Sequence, residues 1–194
     1  MIAIIDYGDG TCKLVSDILS KYKIENKITN TESEIAKADK IIFSGIGPAI
    51  FAAKKLHLLN LFSMFRIIKK PFLGIGLGMQ LLCEKSKEGD VVGLGIIPVT
   101  AEKFDGSKVK VPQSGKNKVK QIKECKLFKG IKDNELFEYT NSYYVPINEY
   151  TVATSVYDVE FSAAVQKENY YGVQFHPELN GEVGQKLLMN FINL

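Results

Sequence analysis

Apolar positions in the first half of this 194-residue chain alternate between two periods. Ile2–Asp6 begins as a near-continuous apolar run, the pattern of a strand buried on both faces. From Cys12 to Tyr22, Leu14, Val15, Ile18 and Leu19 recur at the spacing of one helix face. An extended run at 24–28 follows, then a third strand in "ADKIIFSG", a helix over Ala49–Phe65 and a fourth strand at Pro71–Ile75. The segment "FLGIGLGMQLL", residues 72–82, reads as that buried strand turning abruptly into a helix, with Cys83 still within the helix. Strands alternating with helices, and apolar almost throughout, predict a parallel sheet covered on both faces. Ligands of such sheets gather at the carboxyl ends of the strands.

The second half changes period. "DVVGLGIIPVTAEKF", "KVKVPQSGKNKVK", "LFEYTNSYYVPI", "YTVATSVY", "FSAAVQ" and "YYGVQFHPE" are short extended runs divided by turn residues, and "QKENYYG" carries a hairpin turn. A last helix from about Glu182 presents Val183, Leu187, Leu188, Phe191 and Ile192 on one face. The fold expected is a single α/β domain over residues 1–194, with a mixed, mostly parallel central sheet and helices on both faces.

Composition narrows the class of protein. Hydrophobic residues at 45% and charged residues at 24% are those of an ordinary globular chain, and no apolar run is long enough to span a bilayer. "MIAIIDYG" lacks the basic leader of a secretory signal, so a cytoplasmic location is expected. A net charge of +3 gives no reason to invoke nucleic acid, and the lysines between Lys103 and Lys132, interspersed with acids, read as a solvated face. Cys12, Cys83 and Cys125 are too few and too scattered for a disulfide framework or a zinc site. No cluster suggests a metal or a nucleotide cofactor.

Two stretches carry chemistry. A strand ending in Gly-x-Nuc-x-Gly and opening a helix forms a nucleophile elbow, whose apex side chain stands clear of the sheet and whose next backbone N–H can stabilise an oxyanion. "GIGLG" has that skeleton, but its apex is Gly76, which has nothing to react with. In "YYGVQFHPEL" an apolar strand ends at His176, and Pro177 fixes the backbone between it and Glu178. A carboxylate that holds an imidazole in one tautomer makes it a competent general base. His57, in an apolar helical stretch without a carboxylate neighbour, reads as structural or surface.

Together with the opening "MIAIIDYGDG", these stretches resemble the class I glutamine amidotransferases, and most closely the glutaminase subunits of imidazole glycerol phosphate synthase. The resemblance spans the whole chain. "IIFSGIGPAIFAA" is similar to the glycine-rich oxyanion segment, usually Pro-Gly-Val-Gly; "FLGIGLGMQLL" to Gly-Ile-Cys-Leu-Gly-Met-Gln-Leu-Leu; "TNSYYV" to the His-Ser-Tyr-Tyr segment; and "GVQFHPE" matches without change. The resemblance implies a cysteine that attacks the side-chain amide of L-glutamine, a histidine that passes the proton to the departing ammonia, and a glutamate that orients the histidine. By position, the nucleophile falls on Gly76, the base on His176 and the orienting acid on Glu178. Gly45, Gly47 and the N–H of Leu77 would line the oxyanion and substrate pocket, with Gln80, Ser142 and Tyr143 around the glutamine. Ammonia would pass to a (β/α)8 barrel synthase or cyclase subunit, held as a heterodimer.

The departures are as informative as the matches. Without sulfur at Gly76 no thioester forms; an engineered exchange, an evolutionary loss or a modified cysteine would each leave this sequence. Gln113 and Lys116 in "QSGKN" replace the histidine and tryptophan of the family's His-x-Gly-Trp-Asn, Asn141 replaces the histidine of His-Ser-Tyr-Tyr, and Leu179 stands where lysine often follows the glutamate. Several of these positions face the synthase in the family, which implies an altered partner. Two other readings therefore stand beside a histidine-pathway glutaminase. One is a paralogue supplying ammonia for amidination of a surface sugar; the other is a catalytically silent subunit that only binds its partner.

Overall fold

The computed structural model describes residues 1–194. In chain order the elements begin with strand β1 (Ile2–Ile5), helix α1 (Cys12–Lys21), β2 (Asn26–Thr29), α2 (Glu32–Lys37), β3 (Lys40–Gly45), α3 (Ala49–Leu58), α4 (Leu61–Ile67), β4 (Phe72–Gly76) and α5 (Leu77–Leu81). They continue with β5 (Cys83–Ser86), β6 (Val91–Val92), β7 (Ile97–Lys103), β8 (Gln113–Gln121), β9 (Glu135–Asn141) and β10 (Tyr143–Tyr144). The last are β11 (Thr151–Val156), β12 (Glu160–Lys167), β13 (Tyr170–Val173) and α6 (Gly181–Ile192), with single 3₁₀ turns at Lys126–Phe128 and Pro177–Leu179.

The main sheet has nine strands in the order β2-β1-β3-β4-β13-β12-β11-β8-β9. From β2 to β13 the ladders are parallel, and from β13 to β9 antiparallel. The change in sequence period between the two halves is thus the change from crossover-linked to hairpin-linked strands. A second sheet of four strands, β10-β7-β5-β6, lies apart from the first; the extended runs read from the sequence cover β6, β7 and β10, but nothing in them announces a separate sheet. Each face of the main sheet carries its own apolar core. One gathers Phe43, Leu56, Phe65, Phe72 and Met79 beneath α3 and α4; the other gathers Val15, Leu19, Phe137, Phe175, Leu188 and Phe191 beneath α1 and α6. No helix is long and apolar enough to cross a membrane.

Three expectations change. The helix foreseen over Ala49–Phe65 is two helices, broken at Asn60, which adopts a left-handed φ of 59° that asparagine tolerates better than most residues. The helix after the elbow ends at Leu81, and Cys83 opens β5 rather than lying seven residues into a helix. Helix α1 buries Cys12, Val15 and Leu19, which turns Leu14 outward. The hairpin in "QKENYYG" joins β12 to β13, and α6 buries Leu187, Leu188 and Phe191 as its periodicity predicts.

The three glycines of the elbow serve different ends. A Cβ on Gly78 would strike the carbonyl oxygen of Phe43, and one on Gly74 would lie 2.5 Å from the Gly78 carbonyl carbon. These two allow α5 to press onto β3 and β4. Gly76 answers a dihedral requirement instead: its φ of 58° and ψ of −114° lie where a side chain is strained.

Candidate active site

The parallel strands end together. Gly45 of β3 is in register with Gly76 of β4, and β13 lies on the other side of β4. Three residues beyond β13, the backbone N–H of His176 donates to the Glu138 carbonyl of β9 at 2.9 Å. Asn180 secures the same loop: its Oδ1 accepts from the N–H of Glu138 at 2.9 Å. His176 and Glu178 are therefore held by the sheet's far edge as well as by their own strand.

His176 Nδ1 lies 2.9 Å from Glu178 Oε1, with both side chains 1% exposed. Beside an ionised Glu178, which only accepts, a neutral His176 ring carries its proton on Nδ1 and presents the Nε2 lone pair. That lone pair meets the elbow. A Cβ built on Gly76 would lie 2.9 Å from Nε2, 2.7 Å from Cε1 and 2.6 Å from the carbonyl oxygen of Gly45. The imidazole and the Gly45 carbonyl thus close over the place a nucleophile's side chain would occupy. Ser44 Oγ donates to the same Glu178 Oε1 at 3.2 Å, while Glu178 Oε2 is buried without a partner.

Beside the apex opens a cleft of ≈ 270 Å³, small even for a pocket that takes a metabolite. Gly45, Gly47, Leu77, Gln80, Ser142 and Tyr143, the six pocket residues expected from the sequence, all line it. Gln80 Nε2 donates to the Tyr143 carbonyl at 2.9 Å and to Gln174 Oε1 at 3.1 Å. Asn141 Nδ2 donates to the same Tyr143 carbonyl at 2.9 Å. This amide network ties α5, the helix that opens from the elbow, to the Tyr143 wall of the cleft.

On the oxyanion side the geometry differs from expectation. The Gly45 carbonyl points at the apex, and the next N–H, that of Ile46, turns away to Asp9 Oδ2 at 3.0 Å. In this state the Gly45–Ile46 peptide offers oxygen rather than a donor, which leaves Leu77, at the first position of α5, as the donor on the elbow side. Asp9 is itself braced by the Tyr7 hydroxyl at 2.5 Å and by Thr11. Burial, and then the hydrogen bond to Asp9, push the Tyr7 phenol far above the usual tyrosine range.

Four residues of the site escaped sequence reasoning as participants. Glu88, the only carboxylate lining the cleft, arrives from the loop after β5 and accepts the Ala49 N–H at the start of α3 at 2.7 Å. No local pattern marks it. Asp9 and Ser44 lie in quoted motifs but act through contacts across 37 and 134 positions of chain. Gln174 was readable: it precedes His176 by two, the spacing of one strand face. Of the four departures, several of which the resemblance places facing a partner, Lys116 and Leu179 are exposed, whereas Gln113 and Asn141 are buried and pair with each other across β8 and β9. Their side-chain oxygens have no partner. These two changes therefore remodel the interior beside the cleft, because strand alternation turns them inward. His57 lies at the surface, stacked on Phe62 with ring centroids 4.1 Å apart.

A family profile described as "Glutamine amidotransferase class-I" matches residues 3–194. Among relatives, the chain is 41% identical over 191 residues to imidazole glycerol phosphate synthase subunit HisH of Haemophilus influenzae, covering 98% of this chain and 96% of that one. It is 37% identical over 194 residues to the HisH subunit of Escherichia coli K12, covering 100% and 99%. A crystal structure of a glutamine amidotransferase superposes with a TM-score of 0.77 at 14% identity, over 100% of this chain and 98% of that one. A glutamine amidotransferase of Thermotoga maritima gives 0.62 at 15% identity, over 99% and 82%. The two structural likenesses speak for the fold alone.

Proposed function

The chain belongs to the class I glutamine amidotransferase family, and on that premise we propose that it is the glutaminase-type subunit of an imidazole glycerol phosphate synthase. Its site is built to hold L-glutamine and to release ammonia to a (β/α)8 barrel cyclase subunit, as a cytoplasmic heterodimer in histidine biosynthesis. With Gly76 at the nucleophile's place, the chain as it stands forms no thioester and hydrolyses no glutamine. The observation that carries the reading is the convergence of the buried His176–Glu178 pair, the elbow apex and all six expected pocket residues at one end of the sheet.

The chemistry follows from the geometry. The cleft takes the glutamine, with Glu88 facing its α-ammonium and the fixed amides of Gln80 and Asn141 bounding its side. His176 Nε2 accepts the proton of a nucleophile at position 76 and returns it to the leaving ammonia, and Glu178 stabilises the imidazolium formed between the two steps. The Leu77 N–H receives the oxyanion. Ammonia then leaves towards the partner.

Gly76→Cys together with a histidine-pathway cyclase subunit is expected to give glutaminase activity, and His176→Ala in that background to abolish it. A Gly76→Cys chain that stays inert with every barrel partner would overturn the reading. Titration calorimetry of the unaltered chain with L-glutamine tests the pocket by itself. A second reading, that of a silent partner-binding subunit, is favoured by one observation: the His176 ring and the Gly45 carbonyl already close over the nucleophile's place. A chain that binds the barrel but never glutamine would support it.

A further inference from the structure

We propose that Ser44 is a positioning residue of this site. Its hydroxyl fixes the Glu178 carboxylate so that His176 keeps Nδ1–H towards Glu178 and its Nε2 lone pair towards residue 76. The inference rests on the reading of His176 as the proton carrier and adds the group that holds its orienting acid.

The case begins with a buried charge. The Glu178 side chain is 1% exposed, and a carboxylate in such a place is tolerated only when hydrogen-bonded. It has two polar neighbours, His176 Nδ1 at 2.9 Å and Ser44 Oγ at 3.2 Å, and both use Oε1, while Oε2 has none. Remove the serine hydroxyl and the imidazole becomes the sole partner. Nothing then distinguishes Oε1 from Oε2, and the carboxylate is free to turn with the ring following it. Ser44 can serve as an anchor because it is itself fixed: it is fully buried, its neighbour Gly45 pairs with Gly76, and its carbonyl accepts from Thr11 Oγ1 at 3.1 Å. It therefore ties the His–Glu pair to the strand beside the elbow, whereas the His176 N–H and the Asn180 side chain tie the same loop to β9.

Where the resembling segment usually begins with proline, which has no hydroxyl, "SGIG" begins with serine.

The chain has two histidines, so 15N-histidine labelling gives a spectrum of two rings, with surface-exposed His57 as internal reference. In the unaltered full-length chain the His176 Nδ1–H signal should be present and slow to exchange, with Nε2 unprotonated. In Ser44→Ala that proton should exchange about tenfold faster, the factor carried by about 1.4 kcal/mol, close to the lower end of what a hydrogen bond to a charged group contributes. The ring should also sample the Nε2–H tautomer. Ser44→Thr, which keeps the hydroxyl, should restore the slow exchange. Should Ser44→Ala not fold, Ser44→Cys carries the test, since its thiol fills the space but donates weakly, and intermediate exchange is expected. A folded Ser44→Ala or Ser44→Cys chain with unchanged His176 tautomer and exchange overturns the proposal. These signals do not depend on turnover, so an inert Gly76→Cys chain would remove the glutaminase reading while leaving the Ser44 result to stand or fall alone.

Discussion

Gly76→Ala tests the elbow without chemistry. The residue sits at φ 58° and ψ −114°, where a side chain costs about 1–3 kcal/mol in backbone strain. Its new methyl would lie 2.6 Å from the Gly45 carbonyl oxygen, and moving that backbone adds on the order of 1 kcal/mol. The nearby imidazole is the more yielding neighbour, although its bond to Glu178 limits where it can go. Against these costs, alanine narrows the unfolded ensemble, returning about 0.4–1 kcal/mol. The net loss is about 2 kcal/mol. At roughly 2–4 °C per kcal/mol for a chain of this size, the midpoint of thermal unfolding should fall by about 4–8 °C. Gly106→Ala is the control: it has no positive φ and its Cβ would meet only Val111 Cγ2 at 3.9 Å, so it should melt within a degree or two of the parent. If Gly76→Ala melts with the parent while the control behaves, the strained apex is not held in solution and the elbow argument fails.

Other outcomes follow from the same geometry. Gly78→Ala forces a methyl against the Phe43 carbonyl and should cost about 3 kcal/mol or more in urea unfolding, since backbone on both sides must part. Burial pushes the Cys83 thiol up to about 12, so near pH 8 it should resist iodoacetamide in the folded chain and react once the chain is unfolded. Tyr7 and Tyr139 are held neutral chiefly by burial, well above the 10.0 of an ordinary phenol. Their contribution to stability is complete below about pH 10 and declines as the pH rises further, because the unfolded chain ionises first. Alkaline difference spectra should therefore show two tyrosines titrating only together with unfolding.

Much of this site was legible because its motifs are local. "GIGLG" and "FHPE" each encode their own geometry, a turn that needs glycine and a proline-fixed pair, and a strand end positions both. Glu88 was illegible for the opposite reason: it enters the cleft from a second sheet whose short strands carry no clear alternation. The orientation of the Gly45–Ile46 peptide could not be read either, since Asp9 sets it from 37 residues away. The helix break at Asn60 is intermediate, a residue that permits the left-handed turn without demanding it.

The place of β13 bears on how the chain is made. It lies between β4 and β12, so the parallel and antiparallel halves of the sheet meet only through it, and it is the last strand to leave the ribosome. Until it docks, the apolar edge of β4 is open, and an unpaired apolar edge invites pairing with other chains. His176 and Glu178 follow directly behind that strand. Closing the sheet and bringing the histidine to the elbow are thus one late event in synthesis, and a chain stalled or cut before residue 170 would leave two half-sheets and no site.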